Sequence, residues 1–282
     1  MGAGASVPAD FNSLSEEEQV DFQKKFDLLK SNGKSEQEAI EELRSTRKTF
    51  RACIYMGAAS PEESECPQAV KEALENFGFS VSYCGDGAEI DIPTALLSKP
   101  DIYVQPGGGD DMVVAWEGVS SAKSAIVDYV HNGGHYVGIC MGSFLSSKGD
   151  SGDGFDGYDL LTSAGWDAVN YIEREKADVK DMDQTLVQVI WRGKPESIFF
   201  QGGPSFVRLD ETVANENEVI LASYSNGDAA AIVVPYGKGK VGVTGPHPEA
   251  TESWYTDVAD AGGPQGKVVH NLFIDLVKTT MA

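Results

Sequence analysis

Residues 135–145 read His135-Tyr-Val-Gly-Ile-Cys-Met-Gly-Ser-Phe-Leu145, a short apolar run that leads into a cysteine between two glycines. The run Tyr136 to Ile139 predicts a buried strand, and the residues from Ser143 to Leu145 can open a helix. Gly-x-Cys-x-Gly between a strand and a helix is typical of a nucleophile elbow, whose turn is too tight for side chains at the glycine positions. The first amides of the helix would then favour the thiolate of Cys140. The alternative is a buried structural cysteine at a glycine-containing strand end.

The composition excludes several classes of protein. The chain has 282 residues, 41% of them hydrophobic, and a formal net charge of -22. No basic stripe is visible, so we expect no nucleic-acid partner, and the charge also disfavours attachment to anionic membranes. No apolar run is long enough to span a bilayer, and no secretory signal is visible at the start. The cysteines lack the spacing of a disulfide framework or a zinc site, which predicts a reducing, cytoplasmic location. They are Cys53, Cys66, Cys84 and Cys140.

The first six residues, Met1-Gly-Ala-Gly-Ala-Ser6, match the N-myristoylation pattern with Gly2 as the acceptor. The alternative is a chance match, because glycine and serine are common at flexible chain starts. A single acyl chain would give only weak, reversible membrane association.

Residues 1–49 are predicted to be a flexible start followed by a helical hairpin. Two capping-box patterns, Ser15-Glu-Glu-Glu18 and Ser35-Glu-Gln-Glu38, each head a segment with helical apolar spacing, and Ser31-Asn-Gly33 separates the two helices. We expect the apolar stripes of the hairpin to pack on the main domain. A protein partner for the hairpin is the alternative.

Residues 50–282 are predicted to be one α/β domain. Its first part alternates strands with helices, which indicates βαβ units and a doubly wound, flavodoxin-like parallel sheet. The strands are predicted at 51–56, 79–83, 101–105 and 136–139, and the helices at 69–77 and 119–130. Ligands bind at the carboxyl ends of strands in such sheets, and both Gly107-Gly-Gly109 and Cys140 follow strands.

Beyond Gly149 the sequence becomes rich in strands. Turn signals at Asn226-Gly227 and Gly237-Lys-Gly239 predict an antiparallel meander appended to the parallel sheet. Its strands are predicted at 186–191, 197–200, 218–224, 229–234 and 240–244. The segment 267–277 has helical spacing and should pack back on the sheet.

The segment Gly245-Pro-His-Pro-Glu-Ala250 contains a candidate general base. Two prolines exclude a helix, so His247 and Glu249 are expected in extended backbone with their side chains on one side. A carboxylate beside an imidazole orients the ring as a general base requires. The alternative is an ordinary surface loop.

The segment Pro106-Gly-Gly-Gly-Asp-Asp111 follows a predicted strand. Glycines allow bare amides to point at an oxyanion, and the amide of Met141 could complete such a site. A phosphate cradle and a plain loop are the alternatives. Neither a dinucleotide fingerprint nor a Walker pattern is present, so nucleotide binding is not expected. The histidines lack zinc spacing, and we expect neither a metal nor a cofactor.

Several motifs in one order resemble the class I glutamine amidotransferase-like superfamily, and within it the nearest resemblance is to the biotin-protein ligase N-terminal domain family. The resemblance covers roughly Arg51 to Trp254. Its motifs are Ile54-Tyr-Met-Gly57 with Ser60-Pro-Glu62, Gln105-Pro-Gly-Gly-Gly-Asp110, Gly133-Gly-His-Tyr-Val-Gly-Ile-Cys-Met-Gly142, Phe200-Gln-Gly-Gly-Pro204 and Gly239-Lys-Val-Gly-Val-Thr-Gly-Pro-His-Pro-Glu249.

The resemblance implies a catalytic triad of Cys140, His247 and Glu249. In it Cys140 would attack a carbonyl, His247 would carry the proton and Glu249 would hold the imidazole. It also implies an oxyanion hole from the amides of Gly108 and Met141. The candidate pocket residues are Gly107, Gly109, Asp110, Trp116, Ser143, Phe144, Gln201, Gly202 and Gly203.

The chain departs from the superfamily pattern at Phe144, where glutaminases usually have glutamine. It also lacks the Gly-rich biotinyl-AMP loop of a biotin-ligase catalytic domain, so biotin ligase activity is not expected. The sequence therefore predicts a cysteine-dependent hydrolase or amidotransferase-like enzyme acting on an amide or ester of a small molecule. The alternatives are a non-catalytic small-molecule-binding or regulatory module of the same fold, and a glutaminase subunit that feeds a separate synthetase.

Overall fold

The computed structural model describes residues 16–46, 49–109, 111–149, 154–209, 217–258 and 270–282. At the start of this part, helices α1 (Glu16–Ser31) and α2 (Glu36–Thr46) form the predicted hairpin. The second capping box is present: the amide of Ser35 donates to Glu38 Oε2 at 2.8 Å, and the amide of Glu38 donates to Ser35 Oγ at 3.3 Å. The first capping box involves Ser15, which lies outside the described residues. The domain boundary at residue 49 stays a prediction.

A mixed sheet forms the centre of the molecule. Its strands are β1 (Arg51–Tyr55), β2 (Ser80–Cys84), β3 (Ile102–Gln105), β4 (His135–Ile139), β5 (Trp166–Asn170), β6 (Thr185–Trp191), β7 (Lys194–Phe200), β8 (Pro204–Arg208), β9 (Val219–Tyr224), β10 (Ala229–Tyr236) and β11 (Gly239–Thr244). The main order is β2-β1-β3-β4-β11-β10-β9-β6-β7, while β5 pairs with β8 and β8 with β10. Strands β2, β1, β3, β4 and β11 run parallel, and the pairs from β11 onward are antiparallel.

Helices cover both faces of the sheet. They are α3 (Cys66–Asn76), α4 (Ile92–Leu97), α5 (Met112–Val119), α6 (Lys123–His131), α7 (Met141–Ser146), α8 (Glu252–Asp257) and α9 (Asn271–Met281). One buried cluster contains Leu74 of α3 and Phe273 of α9, and another contains Ile126 of α6 and Leu145 of α7. Both clusters include side chains of the parallel strands, which explains why the inner strands β1, β3, β4 and β11 are almost continuously buried. The predicted α/β fold with a doubly wound parallel sheet, an antiparallel extension and an N-terminal helical hairpin is confirmed.

The structure differs from the sequence prediction in the short elements. The single helix predicted at 119–130 is divided, since α5 ends at Val119 and α6 begins at Lys123 after one tight turn. Strand β8, which the sequence analysis did not predict, begins at Pro204, a position in a strand where the missing amide is tolerated. The last helix spans 271–281, and residues 267–269 of its predicted start lie outside the described part.

None of the helices in the described ranges is both long enough and apolar enough to cross a bilayer.

Candidate active site

The turn after β4 holds Cys140 in an unusual backbone conformation. Its φ is 49° and its ψ is -108°, a backbone conformation that residues other than glycine rarely adopt. A Cβ atom on Gly142 would overlap the carbonyl oxygen of Gln105, and one on Gly138 would lie 2.6 Å from the carbonyl oxygen of Gly142. Both positions therefore require glycine, as the sequence predicted for a tight strand-to-helix turn. Met141 is the first residue of α7, where amides have no acceptor within the helix.

The parallel pairing of β4 with β11 brings the histidine segment beside this turn. Ile139 is in register with Thr244, and the amide of Cys140 donates to the carbonyl oxygen of Thr244 at 2.9 Å. The fully buried hydroxyl of Ser143 lies 2.8 Å from that same oxygen and 2.9 Å from the carbonyl oxygen of Gly138. Ser143, a predicted pocket residue, thus ties the two strands together and is not part of the cavity wall.

His247 and Glu249 are both buried and in direct contact. His247 Nδ1 lies 2.8 Å from Glu249 Oε1, and the two residues are 3% and 0% exposed. The amide of His247 donates to the carbonyl oxygen of Phe199, and the amide of Ala250 donates back to the carbonyl oxygen of His247. The backbone is therefore extended at His247, which pairs with Phe199 as an antiparallel β-bridge, and it turns at residues 248–249, where the prediction of an extended segment was wrong; the two side chains still lie on one side.

The imidazole of His247 also forms a hydrogen bond with the thiol of Cys140. Burial alone would lower the pKa of His247, but the charge of Glu249 and the hydrogen bonds to Cys140 and Glu249 outweigh it and raise this pKa to about 10. The ring is therefore held as an imidazolium at neutral pH.

The glycine loop after β3 closes over the same pair. A Cβ on Gly107 would lie 2.7 Å from His247 Cε1 and 3.1 Å from Cys140 Cβ. The hydroxyl of Ser60 donates to the carbonyl oxygen of Gly107. In a trans peptide this turns the next amide, that of Gly108, to the side away from Ser60. Gly108 has a φ of 106°, which a residue with a side chain would adopt only under strain.

A cavity of about 770 Å³ opens onto Cys140. Five buried side chains form what we call its floor: Cys66, Cys140, Met141, Phe199 and His247. Five exposed side chains form what we call its rim: Glu63, Glu65, Met182, Gln184 and Gln201. Of the predicted site residues, those that line the cavity are Gly108, Gly109, Cys140, Met141, Phe144, Gln201, Gly202 and His247.

Other predicted pocket residues lie elsewhere. Trp116 packs in the core, edge-on to Phe155 at 5.8 Å and to Tyr158 at 5.6 Å between ring centroids. Trp116 belongs to the buried face of α5, together with Ala115 and Val119. Gly203 abuts the carbonyl of Gly245 and not the cavity. Asp110 and Gly2 lie outside the described residues, so the pocket role of Asp110 and the acylation of Gly2 stay predictions.

The sequence analysis did not identify several cavity residues. Trp254 of α8 lies 5.6 Å from the His247 ring and 5.2 Å from Phe199, measured between ring centroids. Its indole nitrogen donates to Glu65 Oε2 at 3.1 Å. Cys66, the first residue of α3, adds a second buried thiol, and burial together with the charge of Glu249 raises the pKa of this thiol well above its usual value. The only signal for Cys66 was its place before Pro67 at a helix start.

Within the described ranges, no three or more His, Cys, Asp or Glu side chains are arranged so that they could hold a metal ion together.

A curated relative matches about half of the chain. The biotin–protein ligase of Schizosaccharomyces pombe is 32% identical over 178 residues, which are 55% of this chain and 26% of that protein. The chain thus matches about a quarter of the length of this relative.

Two solved structures are similar to this chain at low sequence identity. A protein from Thermoplasma acidophilum, described as a candidate subunit of GMP synthase, has 11% identity and a TM-score of 0.49, with 83% of this chain and 95% of that chain covered. A cytoplasmic protein from Salmonella typhimurium has 13% identity and a TM-score of 0.48, with 82% and 99% covered.

The model of the family described as "Biotin-protein ligase, N terminal" matches residues 93–151 and 150–275, which is more than half of the chain. The chain therefore belongs to the biotin-protein ligase N-terminal family.

Proposed function

We propose that this domain is a cysteine-dependent hydrolase or amidotransferase-like enzyme that acts on an amide or ester of a small molecule. We also propose that it is a member of the class I glutamine amidotransferase-like superfamily. The observation that carries the proposal is the buried, hydrogen-bonded series Cys140–His247–Glu249 beside an open cavity. Such a series is what an activated thiol nucleophile requires.

In the proposed reaction, the thiolate of Cys140 attacks the substrate carbonyl carbon and forms a carbon–sulfur bond. The negative charge moves to the carbonyl oxygen, where the amides of Met141 and Gly108 can donate to it. His247, held by Glu249, then gives its proton to the leaving amine or alcohol as the acyl bond breaks. Water attacks the resulting thioester while His247 takes a proton from it, and the acid leaves with Cys140 restored.

The thiol of Cys140 has a second contact that the reaction would break. Its Sγ atom donates to the carbonyl oxygen of Gln201 at 3.6 Å. This hydrogen bond uses the thiol proton, so the sulfur is free to accept a hydrogen bond from the ring of His247. A substrate carbonyl that enters from the rim would take the place of the Gln201 contact.

A second candidate function is a small-molecule-binding or regulatory module without turnover. Phe144 supports it, because an aromatic ring lines the cavity where glutaminases usually present glutamine. A glutaminase that supplies ammonia to a separate synthetase is the third candidate. Ammonia release from glutamine above the level of Cys140→Ala would favour this third function, and we expect none. Biotin ligase activity is not expected either.

The test of the main proposal is labelling by small neutral electrophiles, with intact mass and peptide mapping as readouts. We expect fast modification of Cys140 in the wild type and a loss of labelling at this site in Cys140→Ala. Labelling should be slowed about a hundredfold in His247→Ala, because the proton-transfer partner is missing. His131→Ala, which changes an exposed histidine, is the matched control and should label like the wild type. Slow labelling that does not depend on His247 would contradict the proposal and favour the binding module.

A further inference from the structure

The cavity is negatively charged at its entrance. The carboxylates of Glu63 and Glu65 lie on the rim, while the rest of the rim is made of the neutral side chains Met182, Gln184 and Gln201. No lysine or arginine lines the cavity in the part of the chain that the structure describes. A substrate group that enters therefore meets carboxylates with no cation to balance them.

The floor does not reverse this charge. His247 carries the positive charge on the floor, but it is in contact with the carboxylate of Glu249 and with the thiol of Cys140. Once Cys140 is a thiolate, these three groups carry one positive and two negative charges. The remaining floor side chains are uncharged. A negatively charged substrate group would therefore find no cation at the rim, and on the floor only a cation that Glu249 already balances.

An aromatic ring lies beside one of the rim carboxylates. The indole nitrogen of Trp254 donates to Glu65 Oε2 at 3.1 Å, so the ring and the carboxylate are held as one unit. The same ring lies against His247 and Phe199, and it lines the cavity. Glu65 lies at the N–H edge of the indole, so an ammonium group can bind the carboxylate and also contact the ring face, since both attract positive charge.

We infer that the substrate carries an ammonium or similar cationic group, which Glu65, Glu63 and Trp254 bind at the rim while its amide or ester reaches Cys140. This inference rests on the proposed function, because it assigns the substrate class of the same cavity. It argues against substrates whose only charged group is an anion, because Glu63 and Glu65 would repel it. Glu65 is then a specificity-determining residue, which binds the substrate but takes no part in bond breaking.

The experiment uses three thiol reagents that differ in charge. They are the 2-aminoethyl, methyl and 2-sulfonatoethyl methanethiosulfonates, which are cationic, neutral and anionic respectively. In each reaction the Cys140 thiolate attacks the sulfenyl sulfur, a mixed disulfide forms and methanesulfinate leaves. The rate at Cys140 is followed by peptide mass mapping and divided by the rate of a small free thiol, which removes the intrinsic difference between reagents.

We expect the cationic reagent to modify Cys140 about tenfold faster than the anionic one after this correction, and the ratio to fall at high salt. In Glu65→Gln the ratio should fall about threefold or more, because glutamine keeps the hydrogen bond to Trp254 but not the charge. Glu72→Gln removes an exposed carboxylate from α3 that does not line the cavity, and it should leave the ratio unchanged.

Two outcomes would overturn the inference. A ratio near one in the wild type would mean that the cavity does not select charge. An equal fall in Glu65→Gln and Glu72→Gln would mean that the net charge of -22, and not the rim, attracts the reagent. The rate of the neutral reagent does not depend on the rim charge, so it reports only the activation of Cys140 by His247. A failure of the proposed function can therefore be distinguished from a failure of this inference. If the neutral reagent reacts slowly but the ratio of cationic to anionic rates still depends on Glu65, the result supports the charge preference in a cavity that binds without turnover.

Discussion

On the floor of the cavity, Cys140 and His247 follow two strands that are neighbours in the sheet, and backbone hydrogen bonds fix the segments that carry them. On the rim, Glu65 and Met182 stand on loops and are exposed to solvent. The floor is therefore held to fractions of an ångström by the sheet, whereas the rim can change residue by residue without disturbing the fold. This difference indicates that the floor would carry reactivity and the rim selectivity.

The largest expected effect concerns Glu249. In Glu249→Gln the buried imidazole of His247 loses the charge that raises its pKa, and burial then favours the neutral ring. We expect labelling of Cys140 by a neutral electrophile to slow by about 10²-fold to 10⁴-fold. Glu252→Gln, an exposed carboxylate at the start of α8, is the matched control and should react like the wild type. Equal labelling rates in Glu249→Gln and Glu252→Gln would contradict the prediction that the floor controls the reactivity of Cys140.

The same variant should change the pH dependence of stability. The pKa of His247 is raised from 6.5 to about 10 in the folded protein, so folding binds a proton between these values. Protonated His247 therefore stabilises the fold fully below about pH 6.5, and the contribution is lost as pH rises through about 10. Urea unfolding should show a loss of stability between about pH 7 and pH 10 in the wild type, and a smaller loss in Glu249→Gln. An identical slope in both proteins would contradict the assigned contact.

A second variant tests the close packing beneath the floor. Gly142→Ala would push a methyl group into the carbonyl of Gln105, and we expect a loss of about 3 kcal/mol in the free energy of unfolding. Gly78→Ala, the comparison variant, places its methyl group in open space but at a positive φ of 89°. It should cost only about 1 kcal/mol. The two free energies of unfolding are measured with urea. Equal losses in Gly142→Ala and Gly78→Ala would show that the backbone around Gly142 can shift to accommodate the methyl group.

A smaller effect is expected from the strained backbone at Cys140. The φ of 49° costs less in glycine than in alanine, so Cys140→Gly should be about 1 kcal/mol more stable than Cys140→Ala. Thermal unfolding of the two variants measures the difference, and both lack the thiol. If the alanine variant were the more stable, the turn would not be under strain.

The smallest effect is expected on the rim. Gln184→Ala removes an exposed side chain that lines the cavity entrance. We expect a change of less than about 0.5 kcal/mol in unfolding free energy and less than about twofold in the labelling rate by a neutral electrophile. A tenfold loss of labelling rate would mean that the rim takes part in activating Cys140, which would contradict the assignment of reactivity to the floor.

The sequence predicted the floor better than the rim for a physical reason. The turn at Cys140 and the segment at His247 depend on local constraints, namely glycine, proline and apolar strands, which leave a pattern in the sequence. The rim is made by loops that meet only in the folded protein, such as Glu65 with Trp254, and no local pattern records such a meeting. Trp116 shows the opposite error. It follows the glycine loop in the sequence and was predicted to line the pocket, but in the fold it packs in the core.

Short elements were missed for a related reason. Helix α4 spans Ile92–Leu97 and is too short to show a helical period, although Asp91 accepts a capping hydrogen bond from the amide of Thr94. Strand β5, Trp166–Asn170, lies off the main order of the sheet and has mostly half-buried side chains. Neither alternation nor a continuous apolar run marks it in the sequence. Its pairing with β8 is fixed by tertiary contacts.

The position of β11 has a consequence for synthesis on the ribosome. This strand follows the other ten strands of the sheet along the chain, yet it lies between β4 and β10 and joins the parallel strands to the antiparallel ones. A nascent chain can expose Cys140 long before residues 239–249 emerge, but it cannot pair the thiol with His247 until β11 has inserted. Any contact between the two side chains therefore waits for the sheet to be completed, so unfinished chains carry only an ordinary thiol.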